Sequence, residues 1–153
     1  MELEISDEDL SIRHPARVYI CGPTSSGKTS LILGLLKHRK TMFDKVFSHI
    51  FYCLPESLSQ DHHTFVEQLK NIDANINIVS GIPSFSSIGV LEGAKLIILD
   101  DMIFEIVKSP AIFEAFTISS SHSSISLIIS SQNCFFHGKY RWVFITKYSL
   151  KVL

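Results

Sequence analysis

Short runs of β-branched and aromatic residues recur along the chain at 17–21, 49–54, 76–80, 95–99, 124–130 and 142–146, with helix-compatible stretches between them. In Leu96-Ile97-Ile98-Leu99 and Leu127-Ile128-Ile129 the hydrophobicity is nearly continuous. A strand half-covered by a core would alternate instead, so these segments predict strands covered on both faces, as parallel sheets flanked by helices require. The intervening stretches predict helices at 29–39, 61–69 and 111–116. The first closes on Lys37, His38, Arg39 and Lys40, which complement the negative end of a helix dipole. The second starts at Asp61, an N-cap residue type, with Phe65 and Leu69 in helical register. Pro110 opens the third. The serine-rich stretch 119–124, which holds His122, reads as a loop. The predicted fold class is therefore α/β, a three-layer sandwich with a mainly parallel central sheet and helices on both faces. Residues 1–11 read as an acidic, flexible arm and 12–153 as one domain.

Composition narrows this picture. The chain has 153 residues and 46% hydrophobic content, enough for one well-buried core and too little for two. With 14 basic and 15 acidic residues, the net charge does not call for a polyanionic partner. Cys21, Cys53 and Cys134 are far apart and set in apolar surroundings, which predicts buried free thiols in a reducing, intracellular compartment. No secretion signal is evident, and no apolar run approaches membrane-spanning length, so no membrane association is expected. His62, His63 and His122 lack a third ligand at a recognisable spacing, which argues against a zinc site.

The chemistry concentrates at strand ends. Gly22-Pro23-Thr24-Ser25-Ser26-Gly27-Lys28-Thr29 fits G-x-x-x-x-G-K-[ST], placed between a predicted strand and a predicted helix that continues at Ser30. Backbone N–H groups and the helix start converge there on one point, the arrangement that binds a polyphosphate. In this reading residues 22–30 bind ATP: the amides of Ser25 to Lys28 face the β-phosphate, Lys28 neutralises β and γ oxygens, and Thr29 ligates Mg2+. Gly22 and Gly27 supply the permissive backbone. The run 96–99 ends in Asp100-Asp101; Asp100 is placed to hold the metal through water, and Asp101 to polarise the attacking water. The run through Ile129 ends in Ser130-Ser131-Gln132-Asn133, where Gln132, or less favourably Asn133, is a candidate γ-phosphate sensor if its strand adjoins both others. Of four arginines, Arg141 is the preferred candidate to reach the γ-phosphate of a neighbouring subunit.

The ordered set of His14-Pro15, the octet 22–29, Ile97-Ile98-Leu99-Asp100-Asp101, Phe116-Thr117 to Ser121-His122, and Gln132-Asn133-Cys134-Phe135 resembles the genome-packaging ATPases of large DNA viruses and of Polinton-type or adintovirus-like mobile elements, in the FtsK–HerA class of P-loop motors. The resemblance runs from Arg13 to about Leu153. It implies a homo-oligomeric ring that threads double-stranded DNA into a capsid using ATP, with a capsid or portal component as partner. By position it gives Lys28 and Thr29 the nucleotide and magnesium roles, Asp100 and Asp101 the acidic motif, and Gln132 the polar sensor. The chain departs from the family in having Ser123-Ser124 where a second histidine or basic residue tends to stand. The family also continues past the position of Leu153, so the domain reads as C-terminally short. Two other readings stand beside the motor: a catalytically weak nucleotide-binding remnant, and a small P-loop kinase, for which no arginine-rich lid is present. The Asn-Lys-x-Asp run that specifies guanine is absent as well.

Overall fold

The computed structural model describes residues 11–56, 63–111, 124–132 and 148–151. Its strands are β1 (Arg17–Cys21), β2 (His49–Leu54), β3 (Asn77–Ser80), β4 (Lys95–Leu99), β5 (Ile125–Ser131) and β6 (Tyr148–Lys151). They form one sheet in the order β3-β2-β4-β5-β1-β6, with every pair parallel. Its helices are α1 (Lys28–Lys37), α2 (Arg39–Met42), α3 (His63–Ile72), α4 (Phe85–Gly89) and α5 (Ile103–Lys108).

Alternation along the strands builds the layers. Val18 and Ile20 of β1, Ile50 and Tyr52 of β2, Leu96 and Ile98 of β4 and Ile128 of β5 join Ile32, Leu35 and Leu36 of α1 and Leu69 of α3 in one core. Tyr19, Cys53, Ile97, Leu99, Leu127 and Ile129 point the other way and pack with Ile88 of α4 and Ile106 of α5. All five residues of β4 and all seven of β5 are buried, as strands covered on both faces must be. The predicted α/β sandwich is thus the observed architecture.

Element limits differ from expectation where side chains intervene. The first helix stops at Lys37 instead of 39: His38 leaves the helical conformation at φ −102° and ψ 17°, and Arg39 begins α2, its guanidinium donating to Leu36 O at 2.9 Å and pairing with Asp73 at 2.6 Å. The second predicted helix, α3, runs to Ile72 rather than 69. Besides α2, which meets the first predicted helix only at Arg39, two short helices have no counterpart in the sequence pattern. Ser84 caps α4, its Oγ accepting from Ser87 N, and buried Lys95 donates to Leu91 O at 2.6 Å just beyond the helix end. The other, α5, comes directly after the acidic pair. The predicted strand 142–146, the Asp61 cap, the serine loop 119–123 and nearly all of the predicted helix 111–116 lie outside the described residues. The last strand, Tyr148–Lys151, pairs with β1 and likewise has no counterpart among the predicted strands.

Two registers set the stage for chemistry. Cys21 pairs with Ser131, and Leu99 pairs with both Ile129 and Cys53, so β1, β2, β4 and β5 reach their carboxyl ends together. Because β5 lies between β1 and β4, the residues from Ser130 to Gln132 sit between the glycine-rich loop and the acidic pair.

The opposite end of the sheet is closed by His14. Its Nδ1 lies 2.6 Å from Ser126 Oγ and its Nε2 2.9 Å from Ser124 Oγ, while its backbone N donates to Asp44 at 2.7 Å. Burial lowers the imidazole below its usual 6.5, Lys45 and Lys95 push the same way, and Asp44 and a hydrogen bond to the Ser124 backbone oppose them. A depressed folded-state value means that His14 stabilises the fold fully above the unfolded value and progressively less as pH falls through the folded one. Melting temperature should therefore fall more steeply from about pH 7 to about pH 5 in the native sequence than in His14→Asn, which differential scanning calorimetry across that range would measure.

Candidate functional site

The turn from β1 into α1 is fastened to the neighbouring strand, since Gly22 N donates to Ser131 O at 3.2 Å. Ser26 N donates to Pro23 O at 3.2 Å, closing a tight bend in which Ser25 has φ 62° and Gly27 φ 91°. Gly27 is the N-cap of α1 and supplies no side-chain cap; the first bond of the helix is Leu31 N to Gly27 O at 2.8 Å. The amides before Leu31 consequently have no intrahelical acceptor and face outward at the positive end of the helix. Among the described residues, Ser26 Oγ is buried without a hydrogen-bond partner. An orphaned hydroxyl beside unpaired amides is chemistry that a phosphate oxygen satisfies. The left-handed conformation falls on Gly27 and on Ser25 and not on Gly22.

Lys28, in the first turn, is 8% exposed and folds its ammonium onto the loop, donating to Gly22 O and Pro23 O at 2.8 Å each. An ammonium has three donors, so one remains for a ligand beyond these two contacts. Pro23, Thr24, Ser25 and Gly27 are exposed along the rim, as is Ser30.

Asp100, one residue past β4, is 6% exposed, and three hydroxyls converge on it. Thr29 Oγ1 donates to Oδ2 at 3.3 Å, Tyr52 Oη to the same oxygen at 2.6 Å, and Ser130 Oγ to Oδ1 at 2.5 Å. Ser130 also accepts from Asp101 N at 2.9 Å, so one hydroxyl fixes both members of the pair. Asp101 takes φ 54°, a left-handed turn that sends its side chain away from the strand line, and its Oδ2 accepts from Gln132 Nε2 at 3.0 Å. Burial, then the charge of Asp100 and the bond to it, hold the Tyr52 phenol well above its ordinary pKa, leaving a neutral O–H donor. Next to it, burial pushes the Cys53 thiol up to about 12, so this free cysteine is inert. Cys21 is disulfide-bonded, which corrects the expectation of three free thiols: separation along the chain does not limit approach in space. Cys134 lies outside the described residues.

The structure thus brings Lys28, Thr29, Asp100, Asp101 and Gln132 to one end of the sheet. Arg141, Asn133 and His122 lie outside the described residues. Sequence reasoning gave neither Tyr52, in a segment that reads equally as a contact surface or an ordinary strand, nor Ser130 a role of its own. A signal for Ser130 existed, as a hydroxyl closing an otherwise apolar run buried on both faces; Tyr52 looked like any aromatic strand residue. Among the described residues no group of three His, Cys, Asp or Glu is disposed to hold a metal by itself, and no helix is long and apolar enough to cross a membrane. One carboxylate and one hydroxyl do suit a cation that keeps most of its waters and takes further ligands from a polyphosphate, as Mg2+ does.

No protein-family model and no curated protein matches the chain. Solved structures of the genome packaging NTPase B204 from Sulfolobus turreted icosahedral virus 2 are similar to it. The complex with AMP is 19% identical with TM-score 0.47, and those with AMPPCP and ATP-γS are each 21% identical with TM-scores 0.46 and 0.45. The matches cover 77–78% of this chain and 64–66% of those chains, so the chain spans just under two thirds of their length.

Gly27→Ala separates conformational from steric demand in the loop. An added Cβ meets nothing within 4 Å, yet φ 91° is strained for any L side chain. The substitution should cost about 1–3 kcal/mol of stability in urea unfolding; a neutral result would mean that the loop does not hold this conformation.

Proposed function

We propose that the chain binds ATP with Mg2+ between the loop 22–30 and the carboxylate of Asp100, hydrolyses it, and serves as the motor domain of a double-stranded DNA packaging ring. The observation that carries the nucleotide reading is the meeting of Thr29 and Asp100 at 3.3 Å, from positions 71 apart in the chain. A G-K-T loop alone occurs in many settings; a strand-end carboxylate delivered onto its threonine is the pairing that a metal–triphosphate complex requires.

In this mechanism the loop amides and the Ser26 hydroxyl bind phosphate oxygens, and Lys28 turns its ammonium from the loop carbonyls to the β and γ oxygens, neutralising charge that grows during cleavage. Thr29 and Asp100 would hold Mg2+, which when bound neutralises phosphate charge. Asp101 orients the attacking water and accepts its proton, while Gln132, hydrogen-bonded to that carboxylate, is positioned to couple the presence of a γ-phosphate to Asp101. Arg141 of a neighbouring copy is proposed for the remaining charge at the γ-phosphate. DNA translocation, ring assembly and a capsid or portal partner belong to the proposal through the resemblance carried by residues 13–153.

Purified protein should hydrolyse ATP in the presence of Mg2+, and both Lys28→Ala and Asp101→Asn should lose activity by about 10²–10⁴-fold. Lys28→Ala should also lose nucleotide affinity, whereas Asp101→Asn should keep it. Stimulation by double-stranded DNA would support the motor; binding without turnover would replace it with the weak remnant; unaltered turnover in both variants would refute the site.

A further inference from the structure

We infer that Tyr52 is a positioning residue for the metal carboxylate: it tethers Asp100 so that Thr29 is free to leave it for the ion. The inference rests on the proposed metal–nucleotide reading of this site. Two hydroxyls share Asp100 Oδ2 and differ in what they can do. The Tyr52 bond is 2.6 Å long and comes from a fully buried phenol on β2. Thr29 sits at 3.3 Å, half-buried in the first turn of α1. A short bond from an immobile group persists; a long one from the residue that must ligate the ion gives way. On the other side, the 2.5 Å bond from Ser130 pins Oδ1. When Thr29 turns to the metal, Asp100 therefore keeps one donor on each oxygen, and its carboxylate plane stays directed at the position Thr29 occupied. Without the phenol, Oδ2 would lose its only fixed donor, and the carboxylate could rotate about its side-chain bonds. Outer-sphere orientation of this kind commonly changes metal affinity by about 10–100-fold.

Tyr52→Phe removes the hydroxyl and keeps the ring, which stacks edge-on with Phe65 at a centroid distance of 5.4 Å. The test measures binding of a fluorescent ATP analogue in EDTA and as a function of free Mg2+. In the native sequence Mg2+ should tighten binding. In Tyr52→Phe the affinity in EDTA should stay within about twofold, while the Mg2+ concentration giving half the effect should rise about tenfold. Asp100→Asn should raise it similarly, and adding Tyr52→Phe to Asp100→Asn should change nothing further. An unchanged Mg2+ requirement in Tyr52→Phe, a lowered one, an equal loss of affinity in EDTA, or full additivity with Asp100→Asn would each overturn the inference while leaving the nucleotide reading intact. No Mg2+ effect in the native sequence would overturn both. A measurement on the unaltered protein guards against a variant that does not fold: the hydroxyl proton of the buried Tyr52 should be protected enough to be seen by NMR and should remain visible when Mg2+ and the analogue are added, and its loss on that addition would contradict the tether.

Discussion

A carboxylate taken out of water must recover from the protein the hydrogen bonds it gives up, and Asp100 does so from three directions at once. Thr29 arrives on α1, Tyr52 on β2 and Ser130 on β5, while Asp100 itself directly follows β4. No two of these donors are near neighbours in the chain. They meet because the sheet order sets β2 and β5 on either side of β4 and β1 beyond β5, with registers that end the strands level. Burial of Asp100 and the topology of the sheet are thus one constraint: a slip of one residue in β4 or β5 would turn inward-facing side chains to the other layer and dissolve the cluster.

The same convergence divides labour between the two acids. Asp100 is enclosed and hydroxyl-bound, fixed as part of the frame. Asp101, half-buried on a left-handed turn, meets the exposed amide of Gln132. Ser130 links them by donating to one and accepting from the other's backbone. A rigid carboxylate beside the threonine and a more accessible one beside a strand-end amide are what metal holding and water activation respectively ask for. The glycine-rich bend stores conformational tension at Ser25, a non-glycine residue at φ 62°, offset by the anchoring of the bend to Ser131 and by the helix it starts.

Much of this was legible in the chain. Unbroken apolar runs at 96–99 and 127–129 announced strands buried on both faces, and the octet 22–29 with Asp100-Asp101 marked two strand ends. Other features depended on contacts that sequence separation conceals. Arg39 looked like the last residue of a helix but begins the short α2, its guanidinium reaching back to Leu36 O and across to Asp73. The short helices at Phe85–Gly89 and Ile103–Lys108 are too brief for periodicity to reveal, and depend on tertiary packing through Ile88 and Ile106. Tyr52 could not be singled out because its ring obeys the strand pattern and only its oxygen departs from it. The disulfide at Cys21 was hidden because spacing alone does not determine which thiols meet.

The most direct test is a crystal structure with Mg2+ and a non-hydrolysable ATP analogue. The account predicts Thr29 Oγ1 in the ion's inner shell at about 2.0–2.1 Å, Asp100 reaching the ion through water, and the Lys28 ammonium moved from the carbonyls of Gly22 and Pro23 to the phosphates. An ion bound elsewhere, or Thr29 still hydrogen-bonded to Asp100 with nucleotide in the loop, would contradict it.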